Sequence, residues 1–95
     1  MRYKCLEYEG SKIYNPQRIE EILSKNNLNW LIDSEFENAE IEIRNQTLIW
    51  NSGNYFSGNW HYGIWKSGKF CGTWENGIFE DGELKGNFKS GIKSK

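Results

Sequence analysis

One pattern constrains this chain more than any other. Residues 49–63 read IWNSGNYFSGNWHYG, 64–77 read IWKSGKFCGTWENG and 78–91 read IFEDGELKGNFKSG; Ile92 then opens a fourth unit. The second and third units are equal in length, and the first is longer by a single position at Tyr55-Phe56. Each spells Ile, aromatic, two polar residues, Gly, polar, apolar, variable, Gly, polar, aromatic, two residues, Gly. Self-similarity at a fixed short period means repeated supersecondary units that bury their rings against one another. Nine of the 10 glycines lie after residue 48. Aromatics make up 16% of the chain, which argues against disorder, because each packed ring buries about 150–250 Å².

The glycine spacing predicts hairpins. Ser52-Gly53, Ser67-Gly68, Asn76-Gly77, Asp81-Gly82 and Ser90-Gly91 pair a small polar residue with glycine, as tight turns with positive φ require. Longer strands are expected at 54–61, 69–75 and 83–89, each followed by a short one near 64–66 and 78–80. Phe56, Gly58 and Trp60 would share a face, as would Phe70, Gly72 and Trp74, and Leu84, Gly86 and Phe88. The middle glycines, Gly58, Gly72 and Gly86, would leave a groove in which a neighbouring ring lies flat. With Trp60, Trp74 and Phe88 they form the structural repeat. An elongated antiparallel meander is the expected result.

The segment before the array, 1–48, reads differently. Residues 2–9 alternate as a short strand does, Gly10-Ser11 marks a turn, and Lys12-Ile13-Tyr14 can pair back. Asn15-Pro16 opens a helix with an N-cap and a proline in the first turn; Ile19, Ile22 and Leu23 give it one apolar stripe, and Asn26-Asn27 ends it. Leu28, Trp30 and Ile32 alternate as a strand would. Asp33 to Glu42 carries five acids and no base, with Ala39, Ile41 and Ile43 on the opposite face from Glu40, Glu42 and Arg44. At about 100–200 residues per domain, 1–95 is expected to be a single domain. It comprises an N-terminal α/β segment (1–48), an aromatic and glycine β-repeat array (49–92) and a short tail (93–95). The fold class is α+β, mostly β: one N-terminal helix plus an antiparallel β-hairpin and meander repeat stack.

Phe56-Ser-Gly-Asn-Trp60-His-Tyr-Gly63, Phe70-Cys-Gly-Thr-Trp74-Glu-Asn-Gly77 and Leu84-Lys-Gly-Asn-Phe88-Lys-Ser-Gly91 resemble the core motif of MORN repeats. They also resemble the short Trp-x-x-Gly arrays of many bacteriophage-encoded proteins, and the short unit makes that the closer likeness. The resemblance covers residues 49–92. It implies a hairpin-stack fold and a scaffold or binding role, with no catalytic residue to carry over.

Motifs for chemistry are sparse. Gly63-Ile-Trp-Lys-Ser-Gly68-Lys69 has P-loop spacing, but Phe70 stands where Ser or Thr must meet magnesium, and the glycine spacing is that of the array. His61 is the only histidine and cannot complete a metal site with the distant Cys5 and Cys71. Both cysteines are expected reduced and buried, since a secreted domain this small usually carries more. Asp81 of the Glu80-Asp81 pair belongs first to a turn. No apolar run approaches the length of a spanning helix, and MRYKCLEYEG has no signal-peptide core, so a cytoplasmic location is expected, in the host cytosol if the chain is phage-encoded. No enzyme activity, cofactor or metal is expected.

What remains is an interaction surface. The net charge of -1 excludes binding to nucleic acid by charge alone, and the six lysines of the array and tail come without arginine, so nucleic acid is an unfavoured partner. Trp50, Trp65 and Phe79 fall on the short strands, where a meander cannot cover both faces, so some of these rings are expected to be exposed and to anchor a partner. Glu35, Glu37, Glu40 and Glu42 read plainly as a solvated strand face and, functionally, as a patch that docks on a basic protein surface. The expected function is a small non-enzymatic interaction module that binds and blocks a host protein, such as a phage counter-defence inhibitor of a CRISPR nuclease. The alternative is a glycan-binding or structural module of a phage appendage. Open edge strands would allow oligomers, and no membrane partner is expected.

Overall fold

The computed structural model describes residues 1–94. Strands hold 49% of the chain and helices 15%, so the protein is mostly β. The first half builds a compact lid. β1 (Tyr3–Tyr8) turns at Glu9-Gly10, both at positive φ, into β2 (Ser11–Ile13), which pairs back antiparallel. Helix α1 (Pro16–Lys25) begins where the Asn15 side chain accepts a bond from the Arg18 amide at 3.0 Å. Pro16 presets the φ of its first position and gives up an amide that would have no partner there. The buried stripe of the helix is Ile19, Ile22 and Leu23.

Leu28 to Ile32 is a helical turn, not the strand that its alternation suggests. Asn27 takes a φ of +60°, and the Leu28 amide donates back to the Leu23 carbonyl at 2.9 Å, which reverses the chain. Around α2 (Asn29–Ile32) the buried residues are then Leu28 and Leu31, three apart, with helical rather than strand periodicity. β3 (Glu35–Arg44) runs parallel to β1 and antiparallel to β4 (Thr47–Ser57) through a turn at Asn45-Gln46, both residues at positive φ.

The array is a coil of parallel strands, not a hairpin meander. After β4 come two-residue strands: β5 (Asn59–Trp60), β6 (Ile64–Trp65), β7 (Lys69–Phe70), β8 (Thr73–Trp74), β9 (Ile78–Phe79), β10 (Glu83–Leu84), β11 (Asn87–Phe88) and β12 (Ile92–Lys93). Each pairs in parallel with the strand one repeat away, and β4, β6, β9 and β12 stack as one side. Tyr55 of β4, β7 and β10 make the second side, and β5, β8 and β11 the third. The glycines are the corners of this three-sided solenoid. Gly68 sits at a φ of +110°, and an added Cβ there would strike the Gly53 carbonyl of the preceding turn. Strands this short cannot make antiparallel ladders of their own. Their amides bond to the neighbouring turn, as Glu83 N does to Gly68 O at 3.0 Å and Asn87 N to Gly72 O at 3.0 Å.

Parallel coiling puts like residues on top of one another. Inside, Trp50, Trp65 and Phe79 form one column, with ring centroids 4.7 Å and then 6.0 Å apart and planes within 8°. Tyr55 and Phe70 stack at 4.7 Å, and Leu84 follows them. Trp60, Trp74 and Phe88 stack at 5.0 Å and 5.8 Å. Between columns the rings meet edge to face, as Trp65 meets Phe70 at 5.3 Å and 84°. Both geometries suit the quadrupoles of the rings.

The exposure expected of Trp50, Trp65 and Phe79 is therefore not found, because all three are fully buried. In a meander the short strands would have a bare face. In a closed coil every strand has an inside, and these rings fill it. Phe56 moves the other way. Tyr55 pairs with Phe70 whereas Asn59 pairs with Thr73, so the register offset shrinks by one between them and the extra position of the first turn lies there. That bulge makes Tyr55 the column residue and leaves Phe56 47% exposed. Gly58 and Gly86 likewise face Ser34 and backbone rather than rings, and of the three middle glycines only Gly72 abuts one, that of Tyr55.

The N-terminal half closes the first end of the coil. Phe36 stacks over Tyr55 at 6.4 Å and 14°, and Trp30 meets Trp60 edge-on at 5.2 Å. The buried residues of both halves form one hydrophobic cluster.

Candidate interaction face

The outer side of the large sheet carries the predicted acidic residues. In strict register across seven strands lie Lys12, Glu7, Glu42, Ile49, Ile64, Ile78 and Ile92. The row is charged at one end and aliphatic at the other, and of its isoleucines only the last, Ile92, is widely exposed, at 61%. Alternation along β3, reset at Asn38 where φ is +54° and the register shifts, sends Phe36, Ala39, Ile41 and Ile43 inward and leaves Glu35, Glu37, Glu40 and Glu42 outward.

The structure places these four carboxylates along one strand pair, Glu35 and Glu37 on one side of the corner at Asn38 and Gly53 and Glu40 and Glu42 on the other. Glu35 accepts from Ser57 Oγ at 3.1 Å, Glu37 from Asn54 Nδ2 at 3.4 Å and Glu40 from Ser52 Oγ at 3.4 Å. Lys4 stands 3.6 Å from Glu40, and Arg44 pairs with Glu42. Glu42 is more enclosed than Glu40, with its side chain 13% exposed against 36%, because Glu7 of β1 and Ile49 of β4 flank it. Long contacts to neutral hydroxyls and amides leave acceptor capacity on Glu35, Glu37 and Glu40. Cys5 lies beside Glu40 in register; burial, and then the Glu40 charge, push its thiol pKa up, so it stays protonated and unreactive. It is buried as expected, but Cys71 is only half-buried; both are free thiols.

Behind the face the lid is pinned by polar groups. Arg2 binds Glu20 at 2.5 Å, donates to the Ser34 carbonyl at 2.7 Å and lies over the Phe36 ring at 4.5 Å. Tyr3 donates to Glu20 at 2.9 Å, and burial followed by that bond raises its pKa well above the ordinary phenol value. Ser34, the one buried polar residue among those described, bonds to the Tyr55 hydroxyl and donates to the Trp30 carbonyl at 2.9 Å. Burial pushes the Tyr55 phenol up to about 12.

A second place was not visible in the sequence. His61 stacks on Trp30 at 5.4 Å with planes 8° apart, beside a cleft of about 360 Å³ lined also by Asp33, Ser34, Gly58 and Asn59. The two rings are far apart in the chain, and no spacing rule relates them. The P-loop look-alike is two corners and a side of the coil: the Gly63 carbonyl accepts from Ile78 N and that of Gly68 from Glu83 N. Among the described residues, no group of three or more His, Cys, Asp or Glu is placed to hold a metal ion, and no helix is long and apolar enough to cross a membrane. No protein-family model matches this chain, and no curated protein or solved structure matches it.

Proposed function

We propose that this chain is a non-enzymatic module that binds a protein partner through the acidic outer face of β3. The carrying observation is that Glu35, Glu37 and Glu40 project outward from one strand pair, where Glu35 and Glu37 are met only by a neutral hydroxyl and a neutral amide and Glu40 shares its charge with the exposed Lys4. Such a face suits a basic surface, of the kind that otherwise holds nucleic acid, and charges arranged this way act mainly on encounter and orientation. Blocking a nucleic-acid-binding host protein, as a phage counter-defence inhibitor would, is the finer reading. It rests on the small size and on the likeness of residues 49–92 to phage-type arrays.

Glu35→Gln with Glu37→Gln and Glu40→Gln tests this, because glutamine keeps the bonds from Ser57, Asn54 and Ser52 and removes only charge. A protein captured from host lysate by the parent should be lost with the triple variant and displaced by added duplex DNA. Equal capture by parent and variant refutes the reading. One observation favours a second reading, glycan binding: the Trp30–His61 stack beside Asp33 and Asn59 combines ring faces with an amide and a carboxylate. Retention on a polysaccharide column that Trp30→Ala abolishes would support it in place of the first.

A further inference from the structure

The first unit of the array exceeds the others by one residue, and the extra position turns a ring outward. Across β3 and β4, Phe36 pairs with Tyr55 and Glu35 with Ser57, so Phe56 has no register partner. A bulge of this kind re-aims a side chain. Tyr55 enters the lumen, and Phe56 stands outside it. Of the rings in the array, only Phe56 and Tyr62 are widely exposed. Phe56 lines a groove of about 640 Å³ together with Arg2, Ile32, Glu35, Phe36 and Glu37. The groove is apolar along Ile32, Phe36 and Phe56 and acidic at Glu35 and Glu37.

The charge in this groove is unbalanced. Arg2 is engaged with Glu20 and with the carbonyls of Ile32 and Ser34. Glu35 and Glu37 meet the Ser57 hydroxyl and the Asn54 amide, and neither has an ion-pair partner among the described residues. The fold also shows how such a groove holds a cation. Arg2 lies over the Phe36 ring at 4.5 Å while the Glu20 carboxylate binds it from the side. Phe56 with Glu35 and Glu37 repeats the ring and the carboxylate and lacks the guanidinium.

We propose, on the reading of the acidic β3 face as the docking surface, that this groove takes an arginine side chain of the protein partner. Its guanidinium lies on the Phe56 ring and donates to Glu35 and Glu37, and its stem runs along Ile32. The chemistry selects arginine over lysine. A guanidinium is planar and weakly hydrated, so it can cover a ring with its face while its edge donates to carboxylates. An ammonium is compact and strongly hydrated and cannot do both at once. The two parts of the site act on different steps. The carboxylates speed encounter and set orientation, and the covered ring slows release.

Fluorescence anisotropy of the full chain with labelled oligoarginine and oligolysine of equal length tests this at low salt, with circular dichroism verifying the fold of each variant. The parent should bind oligoarginine about fivefold or more tighter than oligolysine. Phe56→Ala should weaken oligoarginine about tenfold and leave the two peptides equal. Phe56→Leu keeps an apolar side chain and removes the ring, so it should also erase the preference, whereas Phe56→Trp should retain it. Glu35→Gln with Glu37→Gln should weaken both peptides. A parent that fails to bind oligoarginine, or that binds the two peptides equally, overturns the proposal. So does a folded Phe56→Leu that keeps the preference. If the double glutamine variant still weakens both peptides in that case, the ring contact alone falls and the acidic face stands. If the double glutamine variant binds both peptides as the parent does, the docking role of that face falls with it.

Discussion

Gly72→Ala isolates the feature on which the solenoid depends, the closeness of successive turns. Gly72 has no positive φ, so a methyl group costs it no backbone strain. The cost is steric. A Cβ would lie 2.6 Å from the Gly58 carbonyl oxygen and 2.7 Å from Cε1 of the buried Tyr55 ring. Ordinary contact begins near 3.4 Å, so the turns must part by about 0.7 Å locally. The Thr73 N to Gly58 O bond, now 2.9 Å, would then lengthen beyond hydrogen-bond range. Its loss leaves a donor unpaired between the turns, at about 1–3 kcal/mol, and overpacking of a filled core adds about 1–3 kcal/mol. Together these come to about 2–6 kcal/mol. For a domain of this size a loss of about 1 kcal/mol moves the melting temperature by about 4–8 °C, so the midpoint should fall by about 8 °C or more. Gly86→Ala is the internal control. Its Cβ meets the Gly72 carbonyl more closely still, at 2.0 Å, but Gly86 lies on the last described turn, and no described turn is stacked on its outer side. Its melting temperature should fall by less than half as much. Thermal melts followed by tryptophan fluorescence read both. Equal losses, or a Gly72→Ala melt within about 3 °C of the parent, would refute tight turn-on-turn packing as the source of stability.

The tryptophan columns give a paired test by urea denaturation: Trp65→Ala should cost about 3–5 kcal/mol, a large share of a typical domain's stability, whereas Trp65→Phe should cost under about 2 kcal/mol. Phe79 already fills the next place in that column, and phenylalanine removes the Trp65 indole N–H, which is buried without a partner. In an alkaline titration, stability should be level up to about pH 10 and then fall as pH rises towards about 12, because the unfolded Tyr55 phenol ionises near 10 and the folded one is held protonated up to about 12. Tyr55→Phe should flatten that fall by up to about 2–3 kcal/mol at the alkaline end, and an unchanged slope would count against the buried hydroxyl.

Much of the local structure is legible in single residues. Asn15-Pro16 is the helix start because its chemistry is local: one side-chain acceptor and one preset φ. The turn at Gly10 and the inward set Ala39, Ile41 and Ile43 are legible for the same reason, since each depends on neighbours in sequence. Strand direction in the array is not local. A glycine at positive φ after a small polar residue serves a hairpin turn and a solenoid corner equally well. The discriminating signal lies in the columns. Ile49, Ile64, Ile78 and Ile92 are identical residues at the repeat period, and only parallel stacking places each on the next. An antiparallel meander pairs a residue with its mirror position, where nothing favours sameness. The even spacing of the corner glycines, from Gly53 to Gly91, points the same way.

The site followed from the same distinction. Glu40 and Glu42 are legible as outward because β3 alternates from Ala39 to Ile43, whereas the outward placement of Glu35 and Glu37 is not, because Asn38, at positive φ, breaks the alternation between the two pairs. Trp50, Trp65 and Phe79 were misplaced because the alternation argument assumes a sheet with two faces. In a closed coil one face is the lumen, and the lumen of so narrow a solenoid has room only for stacked rings. The indole nitrogens of Trp60, Trp65 and Trp74 are buried there without a partner. Trp50 can donate to the carbonyl of its corner glycine, Gly53, at 3.3 Å. At the corresponding corners, Gly63, Gly68 and Gly77, the carbonyl already receives an amide from the turn above, from Ile78, Glu83 and Ile92 respectively. Each orphaned donor costs about 1–3 kcal/mol. The columns persist because large rings stacked above and below return more in burial and contact than the missing bond removes.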